Sequence, residues 1–154
     1  MKILKNIRPI IENELNIIIA KRREKKMKGD NSFVSGGDLH MDQLISTFVE
    51  ERYPSFQLVS EESSRIVDLD ISASEYIISV DPIDGTENFV SGLKEWGVGI
   101  SVYKNGSHYE SMLALPELEE YIFTGDKIER FESRIHGLSS SLTKGELINI
   151  EVGF

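Results

Sequence analysis

An apolar run, Tyr76-Ile77-Ile78-Ser79-Val80, stops at Asp81-Pro82-Ile83-Asp84-Gly85-Thr86-Glu87-Asn88-Phe89, and this junction constrains the fold more than any other stretch. The apolar run reads as a buried strand. Pro82 fixes its own φ and pushes Asp81 into an extended conformation, while Gly85 lets the backbone turn tightly or approach a ligand. The motif itself is therefore expected to be a turn, neither helix nor strand. Two carboxylates, Asp81 and Asp84, stand at the end of a rigid element. Hard divalent cations such as Mg²⁺ take oxygen ligands in that arrangement and leave positions for water and phosphate. Asp-Pro and Asp-Gly pairs also form turns with no metal near. The D-P-I-D-G-T string is a stronger signal: at residue frequencies near 5%, five specified positions match by chance in roughly one chain of this length in ten thousand.

The Asp81–Thr86 string, together with the upstream pair in Ser60-Glu61-Glu62-Ser63, resembles the inositol monophosphatase family of metal-dependent, lithium-sensitive phosphomonoesterases. The resemblance runs from about Lys28 to about Gly125. It implies the N-terminal half of an α+β fold, with two long helices on a mainly antiparallel sheet. It also implies phosphomonoester hydrolysis by metal-activated water, with Mg²⁺ as cofactor and a small phosphorylated substrate. Glu61 and Asp81 would hold a first metal with the Ile83 carbonyl, and Asp81 and Asp84 would share a second. Gly85 and Thr86 would offer backbone N–H groups to phosphate oxygens at the start of a short helix. The Thr86 hydroxyl and an upstream Asp would orient the attacking water, with Glu61 beside them as a catalytic residue. Asp38 and Asp42 both compete for that upstream place. The spacing to Tyr53-Pro54 and to Glu61 favours Asp38, which can equally be a plain N-cap of the following helix.

Phe56-Gln57-Leu58-Val59 reads as a second short strand, so two adjacent strand ends could bring Glu61 to the Asp81/Asp84 turn. The resemblance also implies a W-D-x-x-A-G motif completing the second metal site, and the sequence does not contain it. Trp96 is followed by Gly97, and the only Asp after Asp84 is Asp126. The second metal is therefore expected to bind weakly or not at all. The chain ends on the strand-like run Leu147–Phe154, and residues 1–154 are expected to form one domain, the metal and phosphate half of a longer fold. Inositol monophosphate is the first expected substrate, with 3′-phosphoadenosine 5′-phosphate and fructose-1,6-bisphosphate as alternatives. A non-catalytic metal- or phosphate-binding module is the competing class. The resemblance further implies a homodimer, which no residue in the sequence addresses.

Seventeen basic against 26 acidic residues give a net charge of −9, which argues against general nucleic-acid binding. An acidic protein that binds phosphate needs cations to offset repulsion. No cysteine is present, so thiol and disulfide chemistry are excluded. The three histidines, His40, His108 and His136, lack metal-ligand spacing. No signal peptide or membrane-length apolar run is evident, so the cytoplasm is the expected compartment and no membrane partner is expected. The basic cluster Lys21–Lys28 reads as a solvated helix end, with steering of an anionic substrate or a membrane surface as the alternative.

Helical spacing of Ile3, Ile7, Ile10, Ile11, Leu15, Ile18 and Ile19 predicts a first helix to about Lys28. A loop over 29–37 and a second helix from about Asp38 to Arg52 follow, the latter with Met41, Leu44, Ile45, Phe48 and Val49 inward. Residues 63–75 read as irregular. Strands are predicted over 96–103, 109–115, 120–123 and 147–152, and Asn105-Gly106 marks a hairpin. Helices followed by consecutive hairpin strands argue an α+β class.

Overall fold

The computed structural model describes residues 3–29, 33–62, 74–125 and 129–132. The expected strand over 147–152, the irregular stretch from 63 to 73, Asp126 and His136 lie outside them. A short 3₁₀ turn, Leu4–Asn6, leads into helix α1 (Arg8–Ala20). Strands β1 (Lys25–Met27) and β2 (Phe33–Ser35) pair as a small antiparallel ribbon, and helix α2 (Gly36–Arg52) follows. The main sheet contains β3 (Gln57–Ser60), β4 (Tyr76–Asp84), β5 (Gly97–Lys104), β6 (Ser107–Leu115), β7 (Glu120–Thr124) and β8 (Glu129–Glu132), in sequence order across the sheet. Helix α3 (Thr86–Ser91) sits between β4 and β5, and a second 3₁₀ turn, Pro116–Leu118, between β6 and β7. The class is α+β with a mixed sheet. β3 and β4 run parallel, and the remaining neighbours are antiparallel.

One face of the sheet buries Ile78, Val80, Val98, Ile100, Val102, Met112, Ala114, Tyr121 and Phe123 against Ile7, Ile11 and Ile18 of the N-terminal segment and Met41, Ile45 and Val49 of α2. The buried helical positions recur at the spacings expected of one helix face. The Asn105-Gly106 hairpin forms with both residues at positive φ, 49° and 74°, and Lys104 opposite Ser107. Among the described residues, no helix is long and apolar enough to cross a membrane.

Several boundaries differ from the sequence expectation. α1 stops at Ala20, where the Lys21 N–H is shared between the Ile17 and Ile18 carbonyls in a tightening last turn. The apolar periodicity ends at Ile19, and the cations that follow lie in a turn and β1. α2 begins at Gly36, not Asp38, because Ser35 is its N-cap. β8 has no counterpart in the expectation. The largest correction concerns Asp81–Asp84, which belongs to β4 and is not a free turn. Asp81 pairs with Gly99 and Asp84 with Gly97, so Pro82 and Ile83 together face Val98. This is a β-bulge, and a bulge tolerates a proline because the extra residue makes no ladder bond.

Candidate functional site

Three chain segments converge at one end of the parallel β3–β4 pair. Ser60 pairs with Val80, and the Glu61 N–H donates to the Val80 carbonyl at 3.1 Å. Glu61 therefore leaves β3 beside Asp81 as Asp81 enters the bulge. The bulge carries the chain to Asp84, and Gly85, at φ 80°, caps α3 in the left-handed region. Only a residue without a Cβ takes that conformation at no steric cost.

α2 supplies the third segment. Its N-terminus is a capping box: the Ser35 hydroxyl accepts from the Gly37 and Asp38 N–H groups, and Asp38 Oδ2 accepts from the Ser35 N–H at 2.8 Å. Asp38 is 1% exposed. Its other oxygen, Oδ1, lies 3.0 Å from the Thr86 hydroxyl, which is also 3.1 Å from the Ile83 carbonyl. The plain N-cap expected as one role for Asp38 is thus Ser35's; Asp38 occupies the third helical position. The signal was present as Ser35-x-x-Asp38, a capping-box spacing. Asp42, one turn later on α2, meets a different partner, accepting a hydrogen bond from Ser60.

The packing beneath explains how Asp38 and Thr86 meet. Phe89 is fully buried, with its ring edge-on to Trp96 at 4.9 Å and the Arg22 guanidinium 4.7 Å from the ring centre. A Cβ on Gly37 would lie 2.5 Å from the Phe89 ring. The first turn of α2 therefore rests directly on α3. Glu117 accepts from Trp96 Nε1 at 2.6 Å and pairs with Arg22, tying the end of α1 to the same corner. Among the sequence candidates, Asp38, Glu61, Asp81, Ile83, Asp84, Gly85 and Thr86 all lie in this region. His40 pairs with Glu14 at 2.9 Å, and His108 contacts Ser111 at 2.8 Å.

The electrostatics are uneven. Burial, then the carboxylates of Glu61 and Asp84, push the Asp81 carboxyl up to about 7, and Asp38 adds to the effect. Asp81 Oδ1 is buried with no hydrogen-bond partner among the described residues. Lys28, just past β1, donates to Glu62 at 2.7 Å and reaches Glu61 at 3.5 Å. Burial raises the Glu62 carboxyl despite Lys28. Burial lowers the Lys28 ammonium, but its two carboxylate partners outweigh that and leave it raised. The basic cluster is thus not uniformly a solvated helix end: Arg22 and Lys28 point into ion pairs. Among the described residues, no group of three acidic or histidine side chains is already gathered as a metal cage. The donor set nevertheless suits a hard cation. It consists of oxygens, and Asp81 has an unmet acceptor and excess neighbouring negative charge, both of which a divalent cation relieves.

A model of the inositol monophosphatase family matches residues 1–148. Inositol monophosphatase 1 of Bos taurus is 31% identical over 121 residues, covering 79% of this chain and 41% of that protein. The Nus factor SuhB of Vibrio cholerae is 30% identical over 108 residues, covering 70% of this chain and 39% of its own. Among solved structures, a staphylococcal IMPase-I complexed with products superimposes with a TM-score of 0.74 at 20% identity, over 85% of this chain and 49% of that one. An IMPase/NADP phosphatase complexed with Mg²⁺ and phosphate does so with the same score and coverage. The structural likenesses establish a shared fold. The chain spans about two fifths of the length of these curated relatives.

Proposed function

This chain belongs to the inositol monophosphatase family, and we propose that residues 1–154 act as one domain supplying the metal and phosphate half of a Mg²⁺-dependent phosphomonoesterase. The observation that carries the reading is the juxtaposition of Asp81, unpartnered at Oδ1 among the described residues and crowded by Glu61 and Asp84, with the Asp38–Thr86 hydrogen bond. Glu61, Asp81 and the Ile83 carbonyl would hold a first metal, and Asp81 and Asp84 would share a second. A divalent cation supplies Lewis acidity and screens the charge of the phosphate. The chain's own contribution is positional. Thr86 donates its proton toward Asp38, which turns the threonine oxygen into an acceptor for a hydrogen of the attacking water. Asp38, buried and held by Ser35, is placed to receive that proton through Thr86. The N–H groups of Gly85 and Thr86 would take phosphate oxygens.

Inositol monophosphate is the substrate we place first; a relative of this fold has been crystallised with D-inositol-1-phosphate. 3′-Phosphoadenosine 5′-phosphate and fructose-1,6-bisphosphate are the alternatives. The test is phosphate release from the three substrates in Mg²⁺, with and without Li⁺, beside Asp84→Asn. Li⁺-sensitive release lost in the variant supports the reading, and release unaffected by the variant overturns the role of Asp84. A second reading is a metal-binding module without turnover. It predicts calorimetric Mg²⁺ binding lost in Asp81→Asn with no phosphate release from either protein.

A further inference from the structure

α2 carries two carboxylates one turn apart, and they reach different strand ends. Asp38 meets Thr86, beyond the end of β4. Asp42 meets Ser60, the last residue of β3. The spacing that disfavours Asp42 as the water-orienting residue is the spacing that brings it to β3. Ser60 is 1% exposed, and its hydroxyl donates to Asp42 Oδ1. A buried hydroxyl bonded to a carboxylate is among the stronger neutral-to-charged contacts, and leaving either partner unmet carries a desolvation cost.

The consequence falls on Glu61, the next residue. Its backbone is set by two bonds: the pairing of Ser60 with Val80, and the Glu61 N–H to the Val80 carbonyl. Among the described residues, β3 is an edge strand of the sheet. An edge strand has ladder bonds on one side only, so its end frays more readily than an interior strand's. The Glu61 side chain is 55% exposed and cannot be fixed by packing. The Asp42–Ser60 bond anchors this strand end to α2, the same rigid element that holds Asp38.

We infer that Asp42 and Ser60 are positioning residues: their hydrogen bond fixes the end of β3 so that Glu61 is presented to a divalent cation beside Asp81. The inference rests on the metal-site reading above and adds to it two residues outside the ligand set. It also gives α2 one function with two arms, one for the water-orienting pair and one for a metal ligand.

The test is Mn²⁺ and Mg²⁺ binding by calorimetry on the full 154-residue chain. Ser60→Ala removes the donor without changing charge, Ser60→Thr keeps a hydroxyl, and Asp42→Ala removes the acceptor. Loss of a hydrogen bond made directly to a metal ligand typically weakens metal binding by about 10–100-fold, and an anchor on the preceding residue should act at the lower end of that range. Ser60→Ala and Asp42→Ala should each weaken Mn²⁺ binding about tenfold. The double variant should be no worse than the weaker single, and Ser60→Thr should recover most of the affinity. A merely structural bond would lower thermal stability in the variants and leave the metal affinity of the folded protein unchanged, which overturns the inference. Weakening by Asp42→Ala but not Ser60→Ala would mean that Asp42 acts by charge alone, and would overturn it too. Asp81→Asn is the separate control. Wild-type binding equal to that of Asp81→Asn defeats the metal-site reading itself and, with it, the inference.

Discussion

On one side of the site, Asp38 is buried with its oxygens bonded to Ser35 and Thr86, and the Phe89 wedge holds the two helices that carry it in contact. On the other side, Asp81 is also sheltered, yet Oδ1 has no partner among the described residues and carboxylates crowd around it. The first side is finished by folding alone. The second retains an unmet acceptor and repulsion that the chain's own groups relieve only partly, through Lys28 on Glu61 and Glu62. Asp38 is the more deeply buried of the two and Asp81 only half-buried, so depth alone does not set the cost: the hydrogen-bond partners and the neighbouring carboxylates do.

The largest effect is expected at Asp81. Asp81→Asn should reduce Mg²⁺ affinity by more than about a hundredfold, because a shared ligand is lost. The same change should stabilise the metal-free protein by on the order of 1–2 kcal/mol at pH 8. The sign follows from the raised carboxyl. Below about pH 4 the group is protonated whether folded or unfolded, and the variant gains nothing. Between there and about 7 the unfolded carboxyl ionises before the folded one, so the wild type progressively loses stability relative to the variant. Thermal melts of both proteins at pH 4 and pH 8, with and without Mg²⁺, check this.

Gly37→Ala tests the finished side. Its Cβ would meet the Phe89 ring at 2.5 Å, inside a fully buried aromatic cluster. Urea unfolding should show a loss of about 2–3 kcal/mol. Thr86→Val removes one hydroxyl from the same side and leaves Asp38 Oδ1 short of a donor, so a loss of about 1 kcal/mol is expected, measured in the same way. The smallest effect belongs to Lys28. Its ammonium contacts Glu61, a proposed metal ligand, so Lys28→Gln should tighten Mg²⁺ binding about threefold, the range of a partly exposed ion pair. Unchanged or weaker calorimetric affinity would show that Lys28 does not compete with the cation.

Much of this architecture could be read in one dimension. The inward face of α2, the strand before Asp81 and the Asn105-Gly106 hairpin follow from periodicity and turn chemistry, both properties of neighbours in the chain. Asp84 beside Asp81 was readable for the same reason, since a motif is a local string, while Glu61 and Asp38 were reached only through the family resemblance. What escaped the sequence was decided by partners distant along it. Asp81–Asp84 looked like a turn because its residues are turn formers, and it became a strand because β5 offered Gly97 and Gly99 as partners across a bulge. The cations after Ala20 looked like a helix end, and Arg22 and Lys28 were instead drawn to Glu117 and to Glu61 and Glu62. Asp38 and Asp42 were indistinguishable as residue types. One reached Thr86 and the other Ser60 only once α2 lay across the ends of β3 and β4. The sequence by itself determined which carboxylates were candidates for a cation, which helix faces turn inward and where the Asn105-Gly106 hairpin turns. Tertiary structure alone decided which carboxylates would be satisfied and which left unmet, because a hydrogen bond is set by distance in space and not by separation along the chain.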